Sequence, residues 1–378
     1  MSPGSDFKKV SFINLKGVVI HDFPYPLRQR KCPHTALISL TNSGGCIFRC
    51  PMCYARAYLW SEPDRIKIYK NLPEKLESEI KRLKIAFPFY LSQITDPLQP
   101  IVELRNLTYR ILRTLMRYRL SFRIVTKSAE GLRDLIGEIP ELISYPYWFV
   151  EITIEAPPKK QMITSPYASE INERISVLKF LNGLGIETVC RTDPTVLGLI
   201  EPEDLIWIIE NVKKTGTKHI IASTGYYNKI SMENLLRRLE GTKFQTCIPR
   251  IKEYYRYKPD KQVRRFMAPF EIRKKFHLWF KKEVEARGLT YAVCQELSWD
   301  YDSKDIPNCE GTRRNHVHIK IKNGFIPIDC SGDCLRSCPD AESPPCGMPV
   351  LRYEYPYKIK TLQITPASGD LFLTKNQL

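Results

Sequence analysis

Short apolar runs alternate with amphipathic segments along the chain from residue 36 onward. The apolar runs, rich in β-branched and aromatic residues, predict strands at 36–41, 87–93, 121–126, 148–154, 186–192 and 219–223. Apolar residues at helical spacing predict helices between them, at 73–85, 104–118, around Leu132, and at 171–184, 202–214 and 231–239. Strand and helix therefore follow one another in a regular order.

This regular order predicts an α/β fold, because successive strand–helix units build a parallel sheet. We interpret it as a partial (β/α)6 TIM-type barrel with a cysteine-rich C-terminal extension. The alternation is lost beyond about residue 245, so we divide the chain into three parts. These are an N-terminal extension at 1–35, the barrel at 36–245, and a basic, aromatic and cysteine-rich region at 246–378. Reactive side chains are expected at the carboxyl ends of the barrel strands.

Composition adds limits to this fold. The 378 residues are 43% hydrophobic, which is enough to bury a large core. The longest apolar runs are too short to cross a bilayer, and the first residues lack the apolar segment of a secretory signal. We therefore expect a cytoplasmic protein with no membrane partner. Abundant Lys, Arg, Ile and Tyr are compatible with a thermophilic source.

The net charge of +17 favours a nucleic-acid partner, since phosphates attract a basic surface. The segment 250–282 interleaves tyrosines and phenylalanines with lysines and arginines. Such a mixture is typical of proteins that bind single strands or flipped bases. Solvated charges on helix faces explain the same composition equally well.

Three cysteines are grouped directly after the first strand, as Cys46-x3-Cys50-x2-Cys53. Three thiolates on one short loop can bind three irons of a 4Fe–4S cubane and leave the fourth iron open. Gly44 and Gly45 allow the loop to turn closely around such a cluster. Zinc is the alternative, but zinc prefers four ligands, and Cys32 or His34 would have to supply the fourth.

At these cysteines the chain resembles the radical SAM superfamily. Residues 92–103, SQITDPLQPIVE, are similar to the TDPYQPxE signature of the spore-photoproduct-lyase-like branch, also called the DNA repair photolyase-like branch. The segments CYAR at 53–56, VTKS at 125–128 and RTDPTVLG at 191–198 extend the resemblance over about residues 35–225. It implies reductive cleavage of S-adenosylmethionine to a 5′-deoxyadenosyl radical, with electrons from a donor such as ferredoxin or flavodoxin.

The resemblance also implies roles for single residues around the cofactor. Lys127 would meet the carboxylate of S-adenosylmethionine, and Thr153 would offer it a hydroxyl. Asp96 and Gln99 would contact the ribose or shape the pocket, and Gln93 and Arg191 complete the expected cofactor site. An ordinary surface lysine, a strand threonine, and a structural pair of Arg191 with Asp193 or Glu155 are the alternatives.

Two departures from the branch concern its chemistry. Met52 and Leu98 stand where the branch has aromatic residues. Gln93 stands where spore photoproduct lyase has the cysteine that returns a hydrogen atom to the product radical. We therefore do not expect repair of the thymine spore photoproduct.

A second group of cysteines lies near the C-terminus, as Cys330-x3-Cys334-x3-Cys338-x7-Cys346, preceded by Cys294 and Cys309. Surrounding prolines and glycines restrain these loops, so we predict a second 4Fe–4S cluster. Zinc, helped by His316 and His318, and disulfides are the alternatives. The sequence does not determine which four of the six cysteines bind the metal.

Three functions follow from these features. The first is a radical SAM enzyme that repairs or modifies a nucleic acid. The second is a radical SAM enzyme that modifies a peptide, lipid or small metabolite with the help of the auxiliary cluster. The third is a non-catalytic, metal-bound nucleic-acid binding protein. The substrate, the hydrogen-atom donor and the oligomeric state stay open.

Overall fold

A computed structural model describes residues 9–22, 33–58, 60–260 and 265–331, together with positions 338, 340, 343, 345 and 346. Its strands are β1 Lys9–Ile13, β2 Ile20–Asp22, β3 Ala36–Ile38, β4 Arg65–Tyr69, β5 Ile85–Ala86, β6 Phe89–Leu91, β7 Phe122–Thr126, β8 Trp148–Thr153, β9 Thr188–Thr192, β10 His219–Ala222, β11 Tyr226–Tyr227, β12 Phe266–Met267, β13 Thr290–Val293, β14 His318–Ile321 and β15 Gly324–Pro327. Its α-helices are α1 Leu72–Ile80, α2 Val102–Arg117, α3 Ala129–Glu138, α4 Gln161–Thr164, α5 Ile171–Gly183, α6 Pro202–Lys213, α7 Lys229–Leu239, α8 Ile248–Tyr254 and α9 Phe270–Glu285. None of the helices within these ranges is long and apolar enough to cross a membrane.

The central sheet has eight strands in the order β13-β10-β9-β8-β7-β6-β3-β2. All neighbours are parallel except β2 and β3, which are antiparallel. Each of the six predicted strands contributes one strand to this sheet, and the predicted helices lie between them. The expected α/β fold with a mostly parallel sheet is confirmed.

The sheet also takes strands from outside the predicted barrel segment 36–245. Strand β2 precedes that segment, and β13 lies beside β10 after it. The expected loss of alternation beyond about residue 245 is therefore wrong, since α9 and β13 form one more helix–strand unit. Its helical pattern was hidden because only His277, Phe280 and Val284 are buried on α9, within a segment rich in lysine and arginine.

The two faces of the sheet differ in chemistry. On one face, residues such as Ile124, Val150 and Ile152 belong to the large hydrophobic core that the helices cover. Strand register places other side chains together on the opposite face: Glu151 is aligned with Val125 and Val189, and Thr153 is aligned with Arg191. We call this second face the inner face of the sheet. Because successive side chains of a strand point to opposite faces, a strand that is mostly apolar in sequence can still place its charged residues together on the inner face.

Candidate active site

The three predicted cluster cysteines lie on the loop between β3 and β4, and all three are half-buried free thiols. Gly44 has φ +63°, and a Cβ at Gly45 would lie 2.0 Å from the carbonyl oxygen of Arg65. Glycine is therefore required where the loop passes against β4. Two successive turns follow, with Arg49 N donating to Cys46 O at 3.2 Å and Cys53 N donating to Cys50 O at 3.0 Å.

Asp96 and Gln99 hold this loop against the end of β7. Ile47 N donates to Gln99 Oε1 at 2.8 Å, and Gln99 Nε2 donates to Asp96 O at 3.0 Å. The Asp96 carboxylate accepts hydrogen bonds from Thr126 Oγ1 at 2.8 Å and from Lys127 N at 2.7 Å. Burial raises the pKa of Asp96, and these donors oppose the shift. Asp96 and Gln99 thus connect the loop after β3 and the segment after β6 to the end of β7. Their contact with the cofactor stays a prediction.

Lys127 is the predicted carboxylate-binding cation. It lies at the end of β7, just before Ser128, whose side chain accepts from Gly131 N at 3.1 Å and caps α3. Lys127 Nζ lies 3.3 Å from Glu155 Oε2 and is 17% exposed. Arg174 Nη1 lies 3.0 Å from the same oxygen of Glu155. Burial disfavours ionisation of Glu155, but Lys127 and Arg174 outweigh it and lower its pKa to about 2.

Thr153 lies at the carboxyl end of β8, where it is 5% exposed. Its carbonyl oxygen accepts from Arg174 Nη1 at 3.1 Å, which ties the end of β8 to the charge pair of Glu155. The hydroxyl contact with S-adenosylmethionine stays a prediction.

Arg191 forms ion pairs on the inner face of the sheet. It pairs with Glu151 and, at 2.7 Å, with Asp193. Arg191 Nη2 also lies 3.1 Å from Cys294 Sγ. The expected alternative of a pair with Asp193 is borne out, whereas Glu151 takes the place suggested for Glu155. Because the side chain remains 14% exposed, a contact with the cofactor stays compatible with this network.

Gln93 carries a polar atom that suits an incoming group. Its Oε1 is buried and finds no hydrogen-bond partner among the described residues. Its carbonyl oxygen accepts from Tyr54 Oη at 2.8 Å, and Tyr54 directly follows Cys53. A buried acceptor without a partner costs about 1–3 kcal/mol, so a donor from a bound molecule would stabilise this position.

The loop thiols fit an iron–sulfur cluster. Burial raises the pKa of Cys46, and burial, opposed by Lys127, raises the pKa of Cys50 to about 12. Thiolates here need positive charge, which cluster irons would supply. In the described part of the chain, no three or more His, Cys, Asp or Glu side chains are close enough together to hold one metal ion. In a cubane each cysteine binds a different iron, so the three sulfurs do not share one ligand sphere.

The late cysteines occupy different surroundings. Cys309 packs in a small apolar cluster with Ala292 and Ile306, and Cys294 packs against another on the inner face. Cys330 is buried, Cys338 and Cys346 are half-buried, and Cys334 lies outside the described residues. The second cluster therefore stays a prediction.

The histidines of the zinc alternative lie beside Tyr147, whose ring contacts both edge-on. His318 Nε2 lies 2.9 Å from Ser121 Oγ. Burial, together with the nearby charge of His316, lowers the pKa of His318 to about 3. His318 is therefore neutral at physiological pH.

Three aromatic residues of the basic segment 250–282 are buried, whereas Phe270 in the same segment is 49% exposed. Tyr255, Tyr257 and Phe266 are 1%, 7% and 2% exposed. Tyr58 and Trp60, which the sequence analysis did not single out, are 39% and 52% exposed instead. They follow the Cys-Tyr-Ala-Arg segment within four residues, and this proximity was the signal that could have identified them.

Two known proteins are similar to this chain in sequence. No protein-family model matches the chain. A radical SAM Nalpha-GlyT isomerase of Pseudomonas phage M6 is 21% identical over 289 residues, which cover 71% of this chain and 55% of that protein. The chain thus spans little more than half the length of this relative. An uncharacterized protein of Methanocaldococcus jannaschii is 28% identical over 182 residues, which cover 48% of this chain and 68% of that protein.

The fold of this chain is similar to that of a solved structure. It is a spore photoproduct lyase mutant with bound AdoMet and dinucleoside spore photoproduct, with a TM-score of 0.53 and 15% identity over 76% of this chain and 82% of that chain. The chain resembles the spore-photoproduct-lyase-like branch of the radical SAM superfamily. At this identity, the likeness to the lyase concerns the radical SAM fold, and the substrate in that crystal structure is the lyase's own.

Proposed function

We propose that this protein is a radical SAM enzyme with a partial-barrel core. Cys46, Cys50 and Cys53 would hold a 4Fe–4S cluster, and Lys127 would bind the carboxylate of S-adenosylmethionine. The cluster would supply the electron that cleaves the cofactor to a 5′-deoxyadenosyl radical. The single observation that carries the proposal is the cysteine loop itself, pinned through Gln99 and Asp96 to the strand end that bears Lys127.

The chain's own residues prepare the cofactor site. Glu155 holds the ammonium group of Lys127 near the end of β8 through an ion pair. Because Glu155 also pairs with Arg174, its single negative charge is divided between two cations and does not fully neutralise Lys127. Gln93 Oε1 is an acceptor for a donor group of the bound cofactor or substrate. The helices shield the apolar face of the sheet from water.

We further propose that the substrate is a nucleic acid, in a repair or modification reaction. The net charge of +17 favours a polyanion. The lyase structure holds a dinucleoside spore photoproduct, and here this supports a proposal of substrate class. A peptide, lipid or small metabolite, modified with an auxiliary cluster, is the second candidate, favoured by the late cysteines.

Cofactor cleavage tests the first part of this proposal. Anaerobically reconstituted, reduced protein should convert S-adenosylmethionine to methionine and 5′-deoxyadenosine, which chromatography measures. Cys50→Ala should abolish cleavage because one iron loses its ligand. Cys190→Ala is the matched control, since that thiol lies buried in the core and should leave cleavage intact. Equal turnover in the parent and Cys50→Ala proteins would exclude the proposed cluster.

A further inference from the structure

Four aromatic rings and one guanidinium group form a continuous series of contacts, here named the aromatic path. Trp60 stacks on Tyr58 with ring centroids 5.2 Å apart and planes at 16°. Tyr58 meets Tyr54 edge-on at 5.8 Å, and Tyr54 lies 6.0 Å from Tyr226. The guanidinium carbon of Arg265 lies 4.6 Å from the centroid of the Tyr226 ring.

The path starts at the surface and passes beside the candidate active site. Tyr54 follows Cys53 in the sequence and donates to the carbonyl oxygen of Gln93 at the end of β6. Tyr226 lies beyond the carboxyl end of β10. At the other end, Trp60 and Tyr58 are 52% and 39% exposed. Large aromatic side chains exposed together at the surface are typical of binding sites rather than of a core.

A cationic pocket lies beside the path. Arg265 precedes β12, which pairs with β11 of the path. The next residue, Phe266, contacts Tyr257 edge-on with ring centroids 4.9 Å apart. Tyr257 lines a surface pocket whose other lining residues are Lys252, Glu253, Arg256 and Lys258. Three cations and one carboxylate therefore line a pocket next to a row of aromatic rings.

We propose that the aromatic path and this pocket bind single-stranded nucleic acid, with bases on Trp60 and Tyr58 and phosphates at Arg265 and the pocket cations. The proposal rests on the proposed function and deepens it by naming the form of the substrate. Exposed rings stack on unpaired bases, and lysines and arginines neutralise phosphates, whereas a duplex keeps its bases stacked within itself. The path then leads the strand to the cysteine loop.

Binding of a fluorescent single-stranded DNA oligonucleotide of mixed sequence, measured by anisotropy, tests this inference. Trp60→Ala and Tyr58→Ala should each weaken binding about tenfold, because a base–aromatic contact is lost. Binding of the matching duplex should change little in the same variants. Trp299→Ala is the control, since Trp299 is 51% exposed and lies outside the path. Arg265→Ala should weaken binding and lower its dependence on salt.

The outcomes separate this inference from the proposed function. If the parent protein binds the single strand and both aromatic variants bind it equally well, the path is not the binding surface. If the parent binds no single strand but cleaves S-adenosylmethionine, the nucleic-acid inference is overturned and the radical SAM function stands. A loss of single-strand binding in Trp299→Ala equal to that in Trp60→Ala also contradicts the inference.

Discussion

Lys127 Nζ lies 3.3 Å from Glu155 Oε2, across two neighbouring strand ends of the sheet. The carboxylate is buried and shared with Arg174, so it remains paired when Lys127 turns towards a ligand. This arrangement holds a cation near the cysteine loop without burying an isolated charge. The same ion pair therefore positions the residue expected to bind the cofactor and contributes to the stability of the fold.

The variant Lys127→Ala should retain iron but bind S-adenosylmethionine more weakly, by about 1.5–3 kcal/mol, because a charge-assisted hydrogen bond is lost. Isothermal titration of the reconstituted protein measures the change. Lys159→Ala is the control, because Lys159 is 60% exposed and pairs with Asp204. Unaltered affinity in the Lys127→Ala protein would remove Lys127 from the cofactor site.

Glu155 should make the stability of the protein depend on pH in the acid range. Its pKa is lowered from 4.5 to about 2 by folding, so its contribution is present above about pH 4.5 and is lost as the pH falls towards 2. The contribution at neutral pH is of the order of 3 kcal/mol. Thermal unfolding between these pH values should be less pH-dependent in Glu155→Gln than in the parent, and identical profiles would contradict this.

Replacing Gly45 by alanine should prevent the cysteine loop from adopting its conformation, since the new Cβ would lie 2.0 Å from a backbone oxygen of β4. We expect Gly45→Ala to lose most of its iron, which a colorimetric iron assay measures. Gly137→Ala is the matched control: nothing lies within 4 Å of its Cβ position, and Gly137 lies within α3. The control should keep its iron and gain about 0.5–1 kcal/mol in stability.

The late cysteines predict about eight irons per chain after anaerobic reconstitution, as two cubanes require. Replacing Cys330, Cys334 and Cys338 together by alanine should remove about half of that iron and leave cofactor cleavage by the first cluster. Elemental analysis distinguishes the alternatives. Stoichiometric zinc with about four irons would show that the second site is not a cluster.

The strands of the sheet were predictable because each is a short apolar run with turn residues beside it. The cysteine loop was predictable too, since its ligands are neighbours in the sequence. The seventh helix–strand unit was missed because α9 buries few of its side chains. Helical periodicity is weak when charged residues occupy most positions.

Contacts between residues that are distant along the chain could not be predicted from the sequence. Arg191 pairs with Glu151 and Asp193 rather than with Glu155. Glu155 lies beyond the end of β8 and pairs with Lys127 and Arg174 instead. The pair of Glu155 with Arg174 joins a strand end to α5 over 19 positions. The aromatic path likewise joins the cysteine loop to β11, a contact that no local pattern contains.

The division of the sheet into an apolar and a charged face places neighbouring residues of one strand under different evolutionary constraints. Val150 can exchange for another aliphatic side chain at small cost, because the core tolerates changes that conserve its volume. Glu151, the next residue, lies between Arg123 and Arg191, and its replacement by an apolar residue would remove one carboxylate partner from each of these two cations. Related sequences should therefore vary along β8 in alternate positions.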